Sequence, residues 1–139
     1  MTLSSVDVAL RLLLAAGLGA AIGIERELRR KPAGLRTNIL IALGAALFTI
    51  ISLSLAPGGG SSDRIAAQIV TGIGFLGGGA ILRHRDSVHG LTTAATIWVN
   101  AAVGMAAGTG QFRVAIAATV LTLGVLVVLG PIERHFERH

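Results

Sequence analysis

Apolar residues in this chain fall into long unbroken runs, without the strict alternation of a strand or the narrow stripe of a surface helix. Uncharged runs cover residues 37–62, 65–82, 87–112 and 114–132. Each reaches or exceeds the roughly 18 residues that carry a helix across hydrocarbon. Residues 6–24 form a fifth run, with Asp7 and Arg11 near its start. The pattern predicts helices over 6–24, 35–56, 65–82, 91–108 and 112–130. These make an all-α, polytopic membrane bundle of five transmembrane helices, a single transmembrane domain occupying residues 1–139. Pro32 with Gly34, the stretch Pro57-Gly58-Gly59-Gly60, the turn 83–90 and the turn Thr109-Gly110-Gln111 break the runs.

Charge adds orientation. Nine of the twelve basic residues lie in three short stretches: Arg26, Arg29, Arg30, Lys31 and Arg36; Arg83 and Arg85; and Arg134 and Arg138. Cytoplasmic loops collect Lys and Arg. Five crossings with the N-terminus outside and the C-terminus inside put all three stretches on that one face. The composition, 53% hydrophobic and 14% charged with a mean hydropathy of +0.75, argues for lipid as the solvent. The net charge of +5 is then accounted for by orientation and by contact with anionic head groups. Nothing interleaves aromatics with the basic residues, which argues against nucleic acid. The chain has no cysteine, so it holds no disulfide, thiolate metal site or cysteine nucleophile. The first 24 residues lack a basic leader and carry Asp7, and they read as a retained helix rather than a signal peptide. The period-two pattern of a membrane β-barrel is missing too.

A shift of 56 residues lays Gly23, Arg29, Gly34, Leu35, Thr37, Ile41, Ala45 and Ala46 over Gly79, Arg85, Gly90, Leu91, Thr93, Ile97, Ala101 and Ala102. The shared unit is helix, basic turn, Gly-Leu-x-Thr, helix. It suggests a parallel two-helix repeat, as against the inverted repeats of many transporters.

Small residues recur at four-residue spacing: Gly19 with Gly23, Gly74 with Gly78, and Gly104 with Gly108. Such steps let helix backbones approach closely in lipid. Together with Gly72 and Gly77 they are expected to serve packing inside the bundle or in a homodimer. The run from Gly72 to Gly79 spells a dinucleotide-type glycine pattern, but it lacks the strand before it and the acidic residue after it. Asp7 and Arg11, one turn apart, are expected to pair. Glu25 and Arg36 are expected to clamp the ends of the first two helices or to form a ligand or partner site. Asp86 and His89, in the second basic turn, are expected to cross-link to the first. Asn38, Gln68, Thr71, Thr92, Thr93, Thr96 and Asn100 are polar groups within spans. Thr92, Thr96 and Asn100 share one face, with Thr93 beside them. They either bond helix to helix or line a polar cavity with Gln68. The four histidines lack ligand spacing, so no metal site or cofactor is expected. No nucleophile, base and orienter come together, so no enzyme is expected either.

Three blocks carry a further signal: Glu25 to Asn38, Asp63 to Ile81, and Val88 to Trp98. Together they resemble the MgtC/SapB family of bacterial inner-membrane proteins. Residues matching its motifs are Glu25, Arg26, Lys31, Pro32, Gly34, Arg36, Thr37, Gln68, Gly72, Gly74, Gly77, Thr92, Thr93 and Thr96. The resemblance implies a multi-pass inner-membrane protein tied to magnesium homeostasis, stress adaptation and virulence. It also implies action by binding another membrane complex, the membrane sector of the proton-driven ATP synthase above all. The alternative is a magnesium or other ion transporter. The virulence-associated members carry a C-terminal soluble domain. This chain stops about nine residues after its fifth predicted helix and reads as a short form.

Overall fold

Ser4 begins the first helix by accepting the Asp7 amide on its hydroxyl at 3.1 Å, which satisfies one of the orphan donors of a helix start. The computed structural model describes residues 3–55, 62–84 and 87–137. Its elements are α1 (Ser5–Leu28), α2 (Leu35–Leu55), α3 (Ser62–Ala80), the strands β1 (Leu82–His84) and β2 (Ser87–His89), α4 (Leu91–Gly108), α5 (Phe112–Gly124), a π-helical turn (Val125–Leu129) and α6 (Gly130–Glu137). The fold is an all-α membrane helix bundle. α1, α2, α4 and the continuous helix from Phe112 to Phe136 have the length and apolarity to cross a bilayer. α3 is long enough but falls short in apolarity, because Asp63, Arg64, Gln68 and Thr71 dilute it.

Several boundaries differ from the sequence reading, each for a local reason. α1 continues four residues past the expected end because Glu25 and Arg29, one turn apart, form a 2.8 Å salt bridge on its last turns. It stops in a Schellman motif: Lys31 N–H donates to the Arg26 carbonyl and Arg30 N–H to that of Glu27. Arg30 occupies the left-handed position at φ 54°, where glycine is the usual residue. The second basic turn is a β-hairpin pairing Leu82 with His89, Arg83 with Val88 and His84 with Ser87. Two residues separate its strands, the shortest common hairpin link. Hence the equivalent turns of the supposed repeat differ in form. Gly90 follows the hairpin at φ 92°, and a Cβ there would overlap the Ala80 carbonyl oxygen. Glycine is therefore required at this position by conformation and by space alike.

The last helix runs through the segment expected to be a tail. Pro131 removes an amide and crowds the carbonyl four residues back, which normally stops or kinks a helix. Here the wider π turn lies immediately before it and relieves that crowding. α5 is mostly exposed, with Ala115 and Thr119 buried, in keeping with its lipid-facing composition.

At the centre, α1 and α4 both ride on α2. A Cβ on Gly19 would stand 2.7 Å from the Asn38 carbonyl oxygen, one on Gly23 2.8 Å from Leu35 Cα, and one on Gly108 2.8 Å from the Ala46 carbonyl oxygen. On Gly104 it would overlap the Ala42 carbonyl oxygen. The core between them is built from Ala15, Ala42, Ala46, Val103, Ala107 and Ala115, residues small enough to keep the backbones close. The α3 glycines behave otherwise. Gly77 makes ordinary contact with Ala94 on α4, while Gly72, Gly74 and Gly78 meet nothing within 4 Å. For these three, packing within this chain is corrected: α3 presents them outward.

Three substitutions test these features. Gly104→Ala should cost about 2 kcal/mol or more, since backbone has to move, whereas Gly74→Ala should stay within about 0.5 kcal/mol of the parent. Arg30→Gly should stabilise by about 1 kcal/mol through relief of its left-handed strain. Unfolding in mixed micelles of mild and denaturing detergent reads all three.

Candidate functional site

Six buried polar side chains, Glu25, Arg26, Asn38, Thr93, Thr96 and Asn100, lie in the half of the bundle nearer the α1–α2 turn and the hairpin, while Thr49, Ser52 and Thr119 are buried elsewhere. Asn38, fully buried on the first turn of α2, donates its side-chain amide to the carbonyls of Ala33 at 2.7 Å and Gly34 at 2.9 Å. It thereby holds the turn in place, including Ala33 at φ 55°. Asn100, fully buried on α4, donates to the Asn38 carbonyl at 2.8 Å and to its Oδ1 at 3.0 Å. Arg26 on α1 is 3% exposed and donates to the Thr93 hydroxyl on α4. One asparagine pair thus ties α2 to α4, and one arginine–threonine contact ties α1 to α4.

These bonds leave some capacity unused. Glu25 Oε2, Arg26 Nε and Asn100 Oδ1 are buried and have no hydrogen-bond partner among the described residues. Burying such groups unpaired is costly, which makes this end of the bundle its most polarised region. Glu25, 9% exposed, holds Arg29 through its other oxygen.

The sequence-predicted residues divide sharply. Thr93, Thr96 and Asn100 are the buried set on α4, at i, i+3 and i+7; Thr92 is exposed, and its carbonyl accepts from Thr96 Oγ1 at 2.7 Å. The face expected to run through Thr92 is therefore rotated by about one residue. Gln68 does not join Thr96 and Asn100 in a cavity, because it lies on the exposed side of α3. Glu25 does not clamp Arg36: its partner is Arg29, and Arg36 and Thr37 are exposed. Asp7 does not pair with Arg11. The Ser4 hydroxyl donates to Asp7 Oδ2 at 2.9 Å, and Arg11 donates to the Gly108 carbonyl at 2.8 Å, closing the C-terminus of α4 where a cation suits the helix dipole. His89 meets Ser87 of its own hairpin at 3.1 Å instead of crossing to the first turn. Asp86 lies outside the described residues. No group of three or more acidic or histidine side chains able to hold a metal ion occurs among the described residues.

Sequence reasoning missed Arg26 as a buried residue, having counted it with the solvated basic stretch. Its phase was a usable signal, since Gly19, Gly23 and Arg26 stand at i, i+4 and i+7, on the face that packs.

A separate feature opens between α2 and α3. It is an apolar groove of about 790 Å³ walled by Leu40, Gly44, Phe48, Gly72 and Leu76, with Thr37 and Gln68 supplying its polar positions. Gln68 has no hydrogen-bond partner among the described residues. It is exposed, and Gly72, one turn further along α3 and also in the groove, has nothing within 4 Å of an added Cβ.

The asparagine link can be measured directly. Asn100→Ala should destabilise the bundle by about 1 kcal/mol, and a double-mutant cycle with Asn38→Ala should return a coupling near 0.6 kcal/mol, the usual scale for interhelical hydrogen bonds in lipid.

Comparison with known proteins agrees with this architecture. The profile of the MgtC family matches residues 12–135. Protein MgtC of Salmonella typhimurium strain LT2 is 52% identical over 120 residues, covering 86% of this chain and 51% of the relative. YhiD of Escherichia coli K12, named as a candidate magnesium transporter, is 50% identical over 131 residues, covering 89% of this chain and 61% of the relative. A Synechocystis protein is 50% identical over 124 residues, covering 89% and 53%. The chain thus spans between half and two thirds of the length of these curated relatives, and no solved structure matches it. With four apolar spanning helices in the bundle and a family profile running almost its whole length, this chain is a multi-pass protein of the bacterial inner membrane and belongs to the MgtC family.

Proposed function

We propose that this protein is a non-enzymatic membrane regulator linked to magnesium homeostasis, acting by docking a transmembrane helix of another membrane complex in the α2–α3 groove. The link to magnesium rests on the names and family of its relatives. The docking mode rests on one observation: the groove is lined by glycines with open space before them and by an unpartnered amide, Gln68. Helices in lipid gain little from apolar burial, and they associate through close backbone approach and side-chain hydrogen bonds. A glycine-lined groove offers the first and Gln68 the second. The membrane sector of the proton-driven ATP synthase is the partner that the family resemblance implies.

Transport of magnesium is the weaker reading. Mg²⁺ dehydrates reluctantly and is usually held by carboxylates with retained water. The fully buried amides of this bundle, Asn38 and Asn100, are bonded to one another, and Gln68 stands apart from them on α3.

A photo-crosslinker placed at Leu76 in the groove should capture a membrane protein in native membranes, and the same probe at Leu121 on the exposed face of α5 should capture lipid. Gln68→Leu should reduce the Leu76 adduct about fivefold, the loss of roughly one interhelical hydrogen bond, with thermal stability retained. Recovery of this chain alone would make the groove a homodimer contact. Equal lipid labelling from both sites would refute docking, and metal-dependent Mg²⁺ uptake by proteoliposomes of the purified protein would favour transport.

A further inference from the structure

We propose that Arg29 and Arg134 form a binding site for a phosphate group at the basic end of the bundle, a site separate from the α2–α3 groove. The two residues come from opposite ends of the chain and converge on Gly130. A Cβ built on that glycine would lie 3.7 Å from Arg29 Nη1 and 3.9 Å from Arg134 Nη2. Two guanidinium nitrogens are thereby held within about 8 Å of each other. A phosphate that accepts a charge-assisted hydrogen bond of about 2.8 Å on each of two oxygens can bridge separations up to that limit.

The surroundings prepare both groups for an anion. Glu25, nine-tenths buried, engages Arg29 through Nε at 2.8 Å. That bridge fixes the guanidinium plane and leaves both terminal nitrogens to face elsewhere, the fork that suits phosphate. Arg134 is exposed and has no salt-bridge or hydrogen-bond partner among the described residues. Bringing two like charges together is unfavourable without an anion between them, and Glu25 offsets only one. Glu133, at i+3 from Gly130, flanks the same face, but it makes no salt bridge with either arginine among the described residues. Exposed Arg30 and Lys31 in the adjoining turn add to the positive field.

The helix geometry explains the convergence. Gly130 and Arg134 stand at i and i+4 on α6, so they share a face. The π turn at Val125–Leu129 sets the rotation of everything after it, aiming that face at α1. Glycine puts no side chain where both guanidiniums approach the helix. The site also follows directly on an apolar run of membrane-spanning length, which is the depth of lipid head-group phosphates. Phosphate-bearing lipid and free phosphate share the required chemistry.

The test uses the full chain purified in mild detergent, with its melting temperature followed during titration by phosphatidylglycerol, by diacylglycerol without a phosphate, and by inorganic phosphate. The expected result is stabilisation by phosphatidylglycerol and none by diacylglycerol. Stabilisation by inorganic phosphate at similar concentration would assign the same site to the free ion. Arg134→Gln should weaken the effective affinity at least about tenfold, the loss of one charge-assisted contact. Gly130→Leu, which keeps both charges and fills the gap, should do the same, while Arg113→Gln at the opposite end should bind as the parent does. Arg29 is left intact because its removal would strand the buried Glu25. Unchanged affinity in both Arg134→Gln and Gly130→Leu, or no stabilisation by either phosphate probe, would overturn the proposal.

Discussion

Close approach of helix backbones at glycine is the constraint on which this bundle depends. In water, helices of this size would be driven together by apolar burial, but in a bilayer that term nearly vanishes because lipid tails are as apolar as leucine. What remains is contact at short range and a few hydrogen bonds. Gly19 and Gly23 on α1, and Gly104 and Gly108 on α4, bring both helices against the backbone of α2. Only there can the Asn100 amide reach both the carbonyl and the side chain of Asn38. The polar links therefore follow from the glycine contacts: a Cβ at Gly104 would push α4 away from α2 and break the asparagine bonds without touching either asparagine.

The same logic separates a tightly joined core from helices held more loosely. α1, α2 and α4 share the glycine contacts, the asparagine pair and the Arg26–Thr93 contact. α3 buries only Ile69 and Gly77 among its described side chains, and α5 only Ala115 and Thr119. The two loosely held helices are nonetheless opposite in character. α5 is apolar and suits lipid, whereas α3 carries an exposed amide, Gln68, that lipid satisfies poorly, together with outward glycines. An amide facing hydrocarbon costs free energy that the bundle does not recover within itself, so a partner that pairs Gln68 would gain from binding at α3.

Much of this architecture was legible in the sequence, because a bilayer imposes length and apolarity on every span. The unbroken runs placed the helices, and the spacing of Gly19 with Gly23 and of Gly104 with Gly108 identified two real contact faces. The departures have physical causes that lie outside a single run. Gly74 and Gly78 have the same spacing as the other pairs, but spacing does not say whether a partner helix stands opposite. Arg26 was grouped with solvated charges because charge was read along the chain; read around the helix, it shares the face of Gly19 and Gly23. The fifth helix is expected to end at about residue 130, but it continues to Glu137 because the π turn at Val125–Leu129 lets the chain pass Pro131 without a break. The Asp7–Arg11 pair failed because Ser4 and the Gly108 carbonyl are better placed, and the latter lies 97 residues away.

The division of charge follows from the same geometry. Arg11 closes α4 at one end of the bundle, and Arg26 is drawn inside by Thr93, so neither guanidinium serves merely as an orienting surface charge. The basic residues left outside are Arg30, Lys31, Arg36 and Arg134, all exposed. Arg29 belongs to both groups, half sheltered by its bridge to Glu25 and half open toward Gly130. A glutamate buried beside an otherwise basic turn looks costly in isolation. Its position becomes intelligible once Arg29 is seen to need a fixed plane at the membrane edge, because a free arginine would sample many rotamers while a bridged one presents the same two nitrogens throughout. The buried carboxylate thus links the inner packing of α1 to the chemistry of the basic face.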